Sequence, residues 1–122
     1  MSNRRSNIRF YFTDNPLDAT VHVHKIKQTE VKSKAGPIQI LDISGNGLQF
    51  FSPLRFQVTD EVLLCFNFRV TQKWFNVYGR IKRQWQSETE QGYIYGVALE
   101  FEEYAAKTSL IQTVHQLKLE HE

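Results

Sequence analysis

Two short stretches hold the residue types best suited to chemistry. The first is the N-terminal "RRSNIR", where Arg4 and Arg5 are adjacent and Arg9 follows after three intervening residues. A guanidinium is a planar fork of donors. It can grip a phosphate bidentately, bind the O6/N7 edge of a guanine, or stack on a base. The same segment also reads as a solvated basic tail. The second stretch is "DISGNG", Asp42 to Gly47, set between the strand-like runs "IQIL" and "LQFF". The two oxygens of Asp42 match the neighbouring N1–H and N2–H2 donors of a guanine. The Ser44 hydroxyl can donate to a phosphate or a ring nitrogen. Gly47 permits backbone conformations closed to other residues and lets a flat ligand come close, while Gly45 and Asn46 tolerate positive φ. The competing reading is a polar turn whose Asp42 and Ser44 bond only nearby backbone.

Enzymatic chemistry finds little support in the remaining residues. His22 and His24 share one face of a strand, but no cysteine or carboxylate stands at a ligand spacing beside them. Cys65 lies among apolar neighbours and reads as a packed thiol. Ser44 is not in the G-x-S-x-G setting of a hydrolase nucleophile, and no phosphate-binding or dinucleotide loop is present. The expectation is a protein with no catalytic residue, no metal and no cofactor.

These stretches must be positioned by a small frame. The chain has 122 residues, 41% of them hydrophobic and 23% charged, which suits one domain with its own core. A formal net charge of +2 argues against a polynucleotide partner. No apolar run is long enough to cross a membrane, and the basic N-terminus lacks the apolar segment of a signal peptide. A single cysteine rules out an internal disulfide. The expected setting is the cytoplasm, without membrane insertion.

Period-two patterning marks the strands. Val62, Leu64, Phe66, Phe68 and Val70 form one apolar face. Phe75, Val77, Gly79, Ile81 and Trp85 form another, and Tyr93, Tyr95, Val97, Leu99 and Phe101 a third. The short polar connectors "TQK" and "SETEQG" imply an antiparallel meander. Leu17 to Lys27 alternates too, and Ile38–Ile43 and Leu48–Phe51 flank the "DISGNG" loop. About six strands without intervening helices suggest a small closed barrel or sandwich. Towards the end the period changes. Leu110, Ile111, Val114 and Leu117 fall on one face of an amphipathic helix, with Glu102 and Glu103 suited to its positive end. That helix can close on a mouth of the barrel or dock on a second copy of the chain.

The order Arg5-x-x-x-Arg9, then a strand, then Asp42-x-Ser44-x-x-Gly47, then an all-β remainder resembles the PilZ domain family. That family is marked by R-x-x-x-R and [D/N]-x-S-x-x-G. "YGRIKR" and "YIYGVALEF", with Gly96 before an apolar pair, resemble its late strands. The resemblance runs from about Arg4 to the C-terminal helix. It implies an all-β fold, a six-stranded antiparallel barrel with a C-terminal α-helix. It also implies one domain over 1–122, with a mobile arginine-bearing arm at 1–12, the barrel at 17–102 and the helix at 103–119.

The function implied is that of a receptor for cyclic di-GMP, taken up singly or as an intercalated pair. Arg5 and Arg9, assisted by Arg4, would clasp guanine edges and phosphates. Asp42 and Ser44 would hold the other side of the ligand, and Gly47 would keep the loop open. Arg83 is a further candidate. It falls in the register of Ile81 and Trp85, which otherwise faces the core, so it either snorkels at the rim or reaches the ligand; Trp85 itself is expected in the core. The arm would fold over the barrel when ligand arrives and so alter the surface offered to a downstream protein, the domain being a monomer or a homodimer. The segment between Arg9 and Asp42 is long for the family, with an extended loop expected at Thr29 to Pro37, and the arm begins almost at Met1. The alternative is a PilZ-like interaction module that no longer binds nucleotide.

Overall fold

The computed structural model describes residues 8–121. Eight strands run through it in the order β1 (Arg9–Tyr11), β2 (Leu17–Ile26), β3 (Thr29–Glu30), β4 (Gly36–Ser44), β5 (Gly47–Ser52), β6 (Val62–Val70), β7 (Lys73–Gln86) and β8 (Tyr93–Glu100), followed by α1 (Tyr104–Glu120). Six of them, in the order β4-β5-β8-β7-β6-β2, pair antiparallel, and pairing of β2 with β4 closes the ring. The fold is the expected six-stranded antiparallel barrel with a C-terminal helix.

The two additional strands have local causes. β3 is a two-residue hairpin return on the end of β2, within the segment expected to be loop. β1 uses a length of β4 that β2 leaves unpaired. β2 pairs with β4 only as far as Leu17↔Ile40, and β1 takes over with Tyr11↔Asp42, Phe10↔Ile43 and Arg9↔Ser44. Residues 9–11, expected within an arm, are thus a registered strand. Arg4 and Arg5 lie outside the described residues.

The alternating apolar positions meet inside. Ile40, Phe50, Phe66, Phe68 and Tyr95 are at most 1% exposed. Phe50 stacks on Tyr95 with ring centroids 4.9 Å apart. Large rings supply much of the area removed from water in such a narrow barrel. Tyr95 can be buried because its hydroxyl is satisfied. It donates to the Leu54 carbonyl (2.8 Å) and accepts from the Phe56 N–H (2.7 Å) and the Gln84 amide (3.1 Å). One phenol thereby fastens the β5–β6 connection to the core.

The helix takes the first of its two expected placements. It packs against β1 and β4, burying Leu110, Val114 and Leu117, with Ile111 half-buried. Glu103 occupies the N-cap position without a side-chain cap bond, and the first turn holds no acid. Glu102 and Glu103 therefore precede the helix rather than sit in its first turn.

One expectation fails at β7. Between Ile81 and Arg83 the β7–β8 register slips, so that Ile81 faces Val97 and Arg83 faces the very next residue, Gly96. This is a β-bulge: two residues oppose one, and the side-chain parity beyond it inverts. Gln84 takes the inward place against Tyr95, while Arg83 and Trp85 turn outward. Trp85, expected in the core, is 38% exposed.

Candidate functional site

The outer wall over β1, β4, β5, β8 and β7 is ordered in rows. Ile43, Leu48, Val97 and Ile81 are consecutive cross-strand partners, and all are buried in the core. The rows on either side of them must face outward, because alternate residues of a strand point to opposite faces. One outer row is Tyr11, Asp42, Gln49, Gly96 and Arg83, each the cross-strand partner of the next. The other comprises Arg9 against Ser44, and Gly47 against Ala98 and Arg80. The two sequence motifs, 33 positions apart, are brought side by side by β1 pairing with β4.

Arg9 and Asp42 are joined directly, an Arg9 guanidinium N–H donating to the Asp42 carboxylate. The pair is asymmetric. The Arg9 side chain retains 30% of its exposure, whereas that of Asp42 retains 4%. Burial pushes the Asp42 carboxyl above its ordinary value, and the hydrogen bond and charge of Arg9 pull it back only in part. Acids whose charged form is disfavoured by burial cluster at binding and catalytic sites.

Ser44 is fully buried, and its hydroxyl serves the turn. It lies 2.8 Å from Asn46 Oδ1 and 3.2 Å from the Gly47 carbonyl as donor, and accepts from the Asn46 N–H at 3.4 Å. The structure thus shows local bonding for Ser44 and a long-range partner for Asp42. Gly47 has another reason for its identity than the one expected. Gly47 does not share the positive φ of Gly92. At Gly47 an added Cβ would come within 2.8 Å of the Val97 carbonyl oxygen and 3.5 Å of an Arg9 guanidinium nitrogen. The position is glycine because the β8 backbone approaches it too closely for a side chain, with Arg9 in ordinary contact beside it.

Arg83 lies on this same outer face. Its neighbours Arg80 and Lys82 are engaged by Glu100 and Asp60, but Arg83 enters no ion pair among the described residues, and its guanidinium carbon lies 5.6 Å from the Trp85 ring centroid. Gln49, between Asp42 and Gly96, was missed from the sequence. It is half-buried, and its side-chain amide makes no hydrogen bond among the described residues. One signal was available: Gln49 is the single polar residue of "LQFF".

The other candidate residues do not converge. Cys65 is buried, and burial raises its thiol pKa, which makes it a poor nucleophile. The His24 ring packs on Tyr78 at 4.8 Å. Among the described residues no group of histidine, cysteine or carboxylate side chains could hold a metal ion, and no helix is long and apolar enough to cross a membrane.

The chain belongs to the PilZ domain family, whose model matches residues 3–116. Solved structures of similar fold include the Bacillus subtilis inhibitor of motility MotI/DgrA, with TM-score 0.69 and 14% identity over 93% of this chain. The K. pneumonia MrkH–c-di-GMP complex gives TM-score 0.70 and 14% identity over 92% of this chain. The Escherichia coli YcgR PilZ domain with c-di-GMP gives 0.59 and 11% over 92%, and 89% of that chain is covered. At these identities the likeness is one of fold. The chain spans 51% of the MotI/DgrA and MrkH chains. Comparison with curated protein sequences gives no match.

Proposed function

We propose that this domain is a receptor for cyclic di-GMP, bound on the outer face by Arg9, Asp42 and Arg83, with Ser44 and Gly47 shaping the turn beneath. Arg4 and Arg5, from the segment preceding β1, complete the cation set. The observation that carries the reading is the direct Arg9–Asp42 contact above a side-chain-free Gly47, which unites both motifs at one place. Membership of the PilZ family and fold-level likeness to two c-di-GMP complexes support it.

The chemistry fits this ligand class. Guanidinium forks suit phosphates and the O6/N7 edge of guanine. A carboxylate suits the N1–H and N2–H2 pair, and insertion of that edge would replace lost hydration of Asp42 with two directed donors. Ligand capture would draw the segment before β1 onto the barrel, and so change the surface available to a cytoplasmic partner protein. Ordering that segment costs conformational entropy, which the charge-assisted contacts must exceed.

Calorimetric titration with cyclic di-GMP, alongside Arg9→Ala and Asp42→Ala, tests the proposal, with GMP and cyclic di-AMP as controls. Binding that is lost in both variants is expected, and the stoichiometry distinguishes one ligand from an intercalated pair. No heat and no melting shift with folded wild-type protein would leave a protein-interaction module as the surviving reading.

A further inference from the structure

Gly96 presents a question that the family motifs leave open. It sits in the middle of β8, where a glycine costs about 0.5–1 kcal/mol relative to alanine. Other glycines of the chain have structural reasons. A Cβ at Gly79 would meet the Ala98 carbonyl oxygen at 2.7 Å, one at Gly47 the Val97 carbonyl oxygen at 2.8 Å, and Gly92 has φ of +155°. A Cβ at Gly96 would meet nothing closer than 3.4 Å. Its three nearest atoms all belong to Arg83: Nε at 3.4 Å, Cβ at 3.7 Å and a terminal guanidinium nitrogen at 3.7 Å. A Cβ would stand in ordinary contact with Arg83, and a side chain any larger would compete with the arginine for the space over β8.

Gly96 is the cross-strand partner of both Arg83 and Gln49. The Arg83 side chain therefore lies over β8 at Gly96, the strand next to Gln49, instead of standing away from the sheet. Neighbouring strands are ~4.8 Å apart, so the row from Asp42 on β4 to Arg83 on β7 spans three strand spacings, ~14 Å. A single base anchored on Asp42 stops short of β7. A ligand carrying two bases and a phosphodiester ring does not.

We infer that Gly96 is a positioning residue: it seats the Arg83 guanidinium across β8, so that Arg83 and the free amide of Gln49 hold the half of the ligand remote from Asp42. This deepens the cyclic di-GMP reading and rests on it. The β7 bulge is part of the device, since without it Arg83 would point into the core.

The test is Gly96→Val, which the outer face of a strand accepts and whose methyl groups occupy the space of the guanidinium. With wild type, Arg83→Ala and the double variant titrated with cyclic di-GMP, each single change is expected to weaken binding about 10-fold or more. The double variant should be no weaker than Arg83→Ala, because the two act through one contact. A second readout needs no ligand. In a Trp74→Phe background, Trp85 emission reports the guanidinium beside it, and Gly96→Val should shift that emission in the direction Arg83→Ala does. Unchanged emission, unchanged affinity, or additive losses would each overturn the seat while leaving the receptor intact. Absence of binding by wild type would overturn the receptor reading and this inference together. Gly96→Ala, whose Cβ makes only ordinary contact with Arg83, is the control and should bind like wild type; a loss there equal to that of Gly96→Val would also overturn the seat.

Discussion

Asp42→Asn separates a binding role from a structural one. The Asp42 side chain is 4% exposed and that of its partner Arg9 30%. Were the pair a structural strut, removing one member would cost 3–5 kcal/mol, the usual penalty for orphaning a buried charge. Two features argue otherwise. Arg9 reaches water and can be hydrated without its partner. And burial outweighs Arg9 at Asp42, so that the carboxyl titrates above its ordinary range. An acid whose folded pKa is raised contributes stability that is complete below its unfolded pKa and is lost as pH rises through the folded value. At neutral pH the ionised Asp42 is therefore a net cost to the empty protein. Asparagine keeps the shape without the charge, so the melting temperature at pH 7 should hold or rise. The gap to wild type should move in favour of wild type as pH falls through the raised folded value, and the change should be complete below about 4, where the carboxyl is neutral in both states. Binding should respond in the opposite sense. Asparagine offers one acceptor instead of two and no charge, losing about 1.5–3 kcal/mol of charge-assisted hydrogen bonding, or roughly 10- to 150-fold in Kd. Differential scanning fluorimetry across pH, beside calorimetry with cyclic di-GMP, reads both. A fall at pH 7 of more than about 4 °C, equivalent to about 1 kcal/mol at this size, would refute the electrostatic reasoning. An unchanged Kd would refute the contact.

Tyr95→Phe removes the hydroxyl that satisfies the Leu54 carbonyl and the Phe56 N–H; a loss of about 2–4 kcal/mol is expected in denaturant unfolding, with faster hydrogen exchange at Phe56. Thr71 and Gln72 form the two-residue β6–β7 turn with φ of 51° and 67°. Replacing them with Asn-Gly, which favours such a turn, should raise stability by about 0.5–1 kcal/mol in the same assay. Gly79→Ala drives a Cβ to within 2.7 Å of the Ala98 carbonyl oxygen and should cost about 1–3 kcal/mol, whereas Gly36→Ala, with nothing within 4 Å, should be nearly neutral. Equal melting temperatures for the Gly36 and Gly79 variants would show that the strand approach at Gly79 is not tight.

How much of this was legible beforehand differs between the core and the site. Strict alternation in "EVLLCFNFRV" fixed the inward set correctly, because a one-residue error would bury Asn67 and Arg69. The helix face was readable for the same reason at a different period. Arg9 with Asp42 was readable from motif spacing, although not their direct contact, which depends on β2 leaving part of β4 unpaired. The bulge at β7 was not readable. Nothing in "GRIKRQW" distinguishes a continuous strand from one with an extra residue, so parity was carried through to Trp85 and failed. Gln49 was missed because the one signal, a lone polar residue in a short apolar strand, points to no site until its cross-strand partners are known.

The division of labour between the two faces of the wall follows from this geometry. The inward rows hold the barrel together by area, and their sequence is constrained by volume. The outward row from Asp42 to Arg83 contributes little to packing and contains three residues that a stability argument would not choose: a buried carboxylate above its ordinary pKa, an amide with no hydrogen bond among the described residues, and a mid-strand glycine whose Cβ would meet Arg83 only at ordinary contact distance. On the proposed cyclic di-GMP reading, Asp42 and Gln49 would answer to the ligand and Gly96 to the seat of Arg83. A row selected for stability would place β-branched side chains at 49 and 96 and a neutral residue at 42. Such a barrel would melt higher and offer Arg83 no path across β8. The stability forgone along that row is what gives the face its polarity, its flatness and its reach.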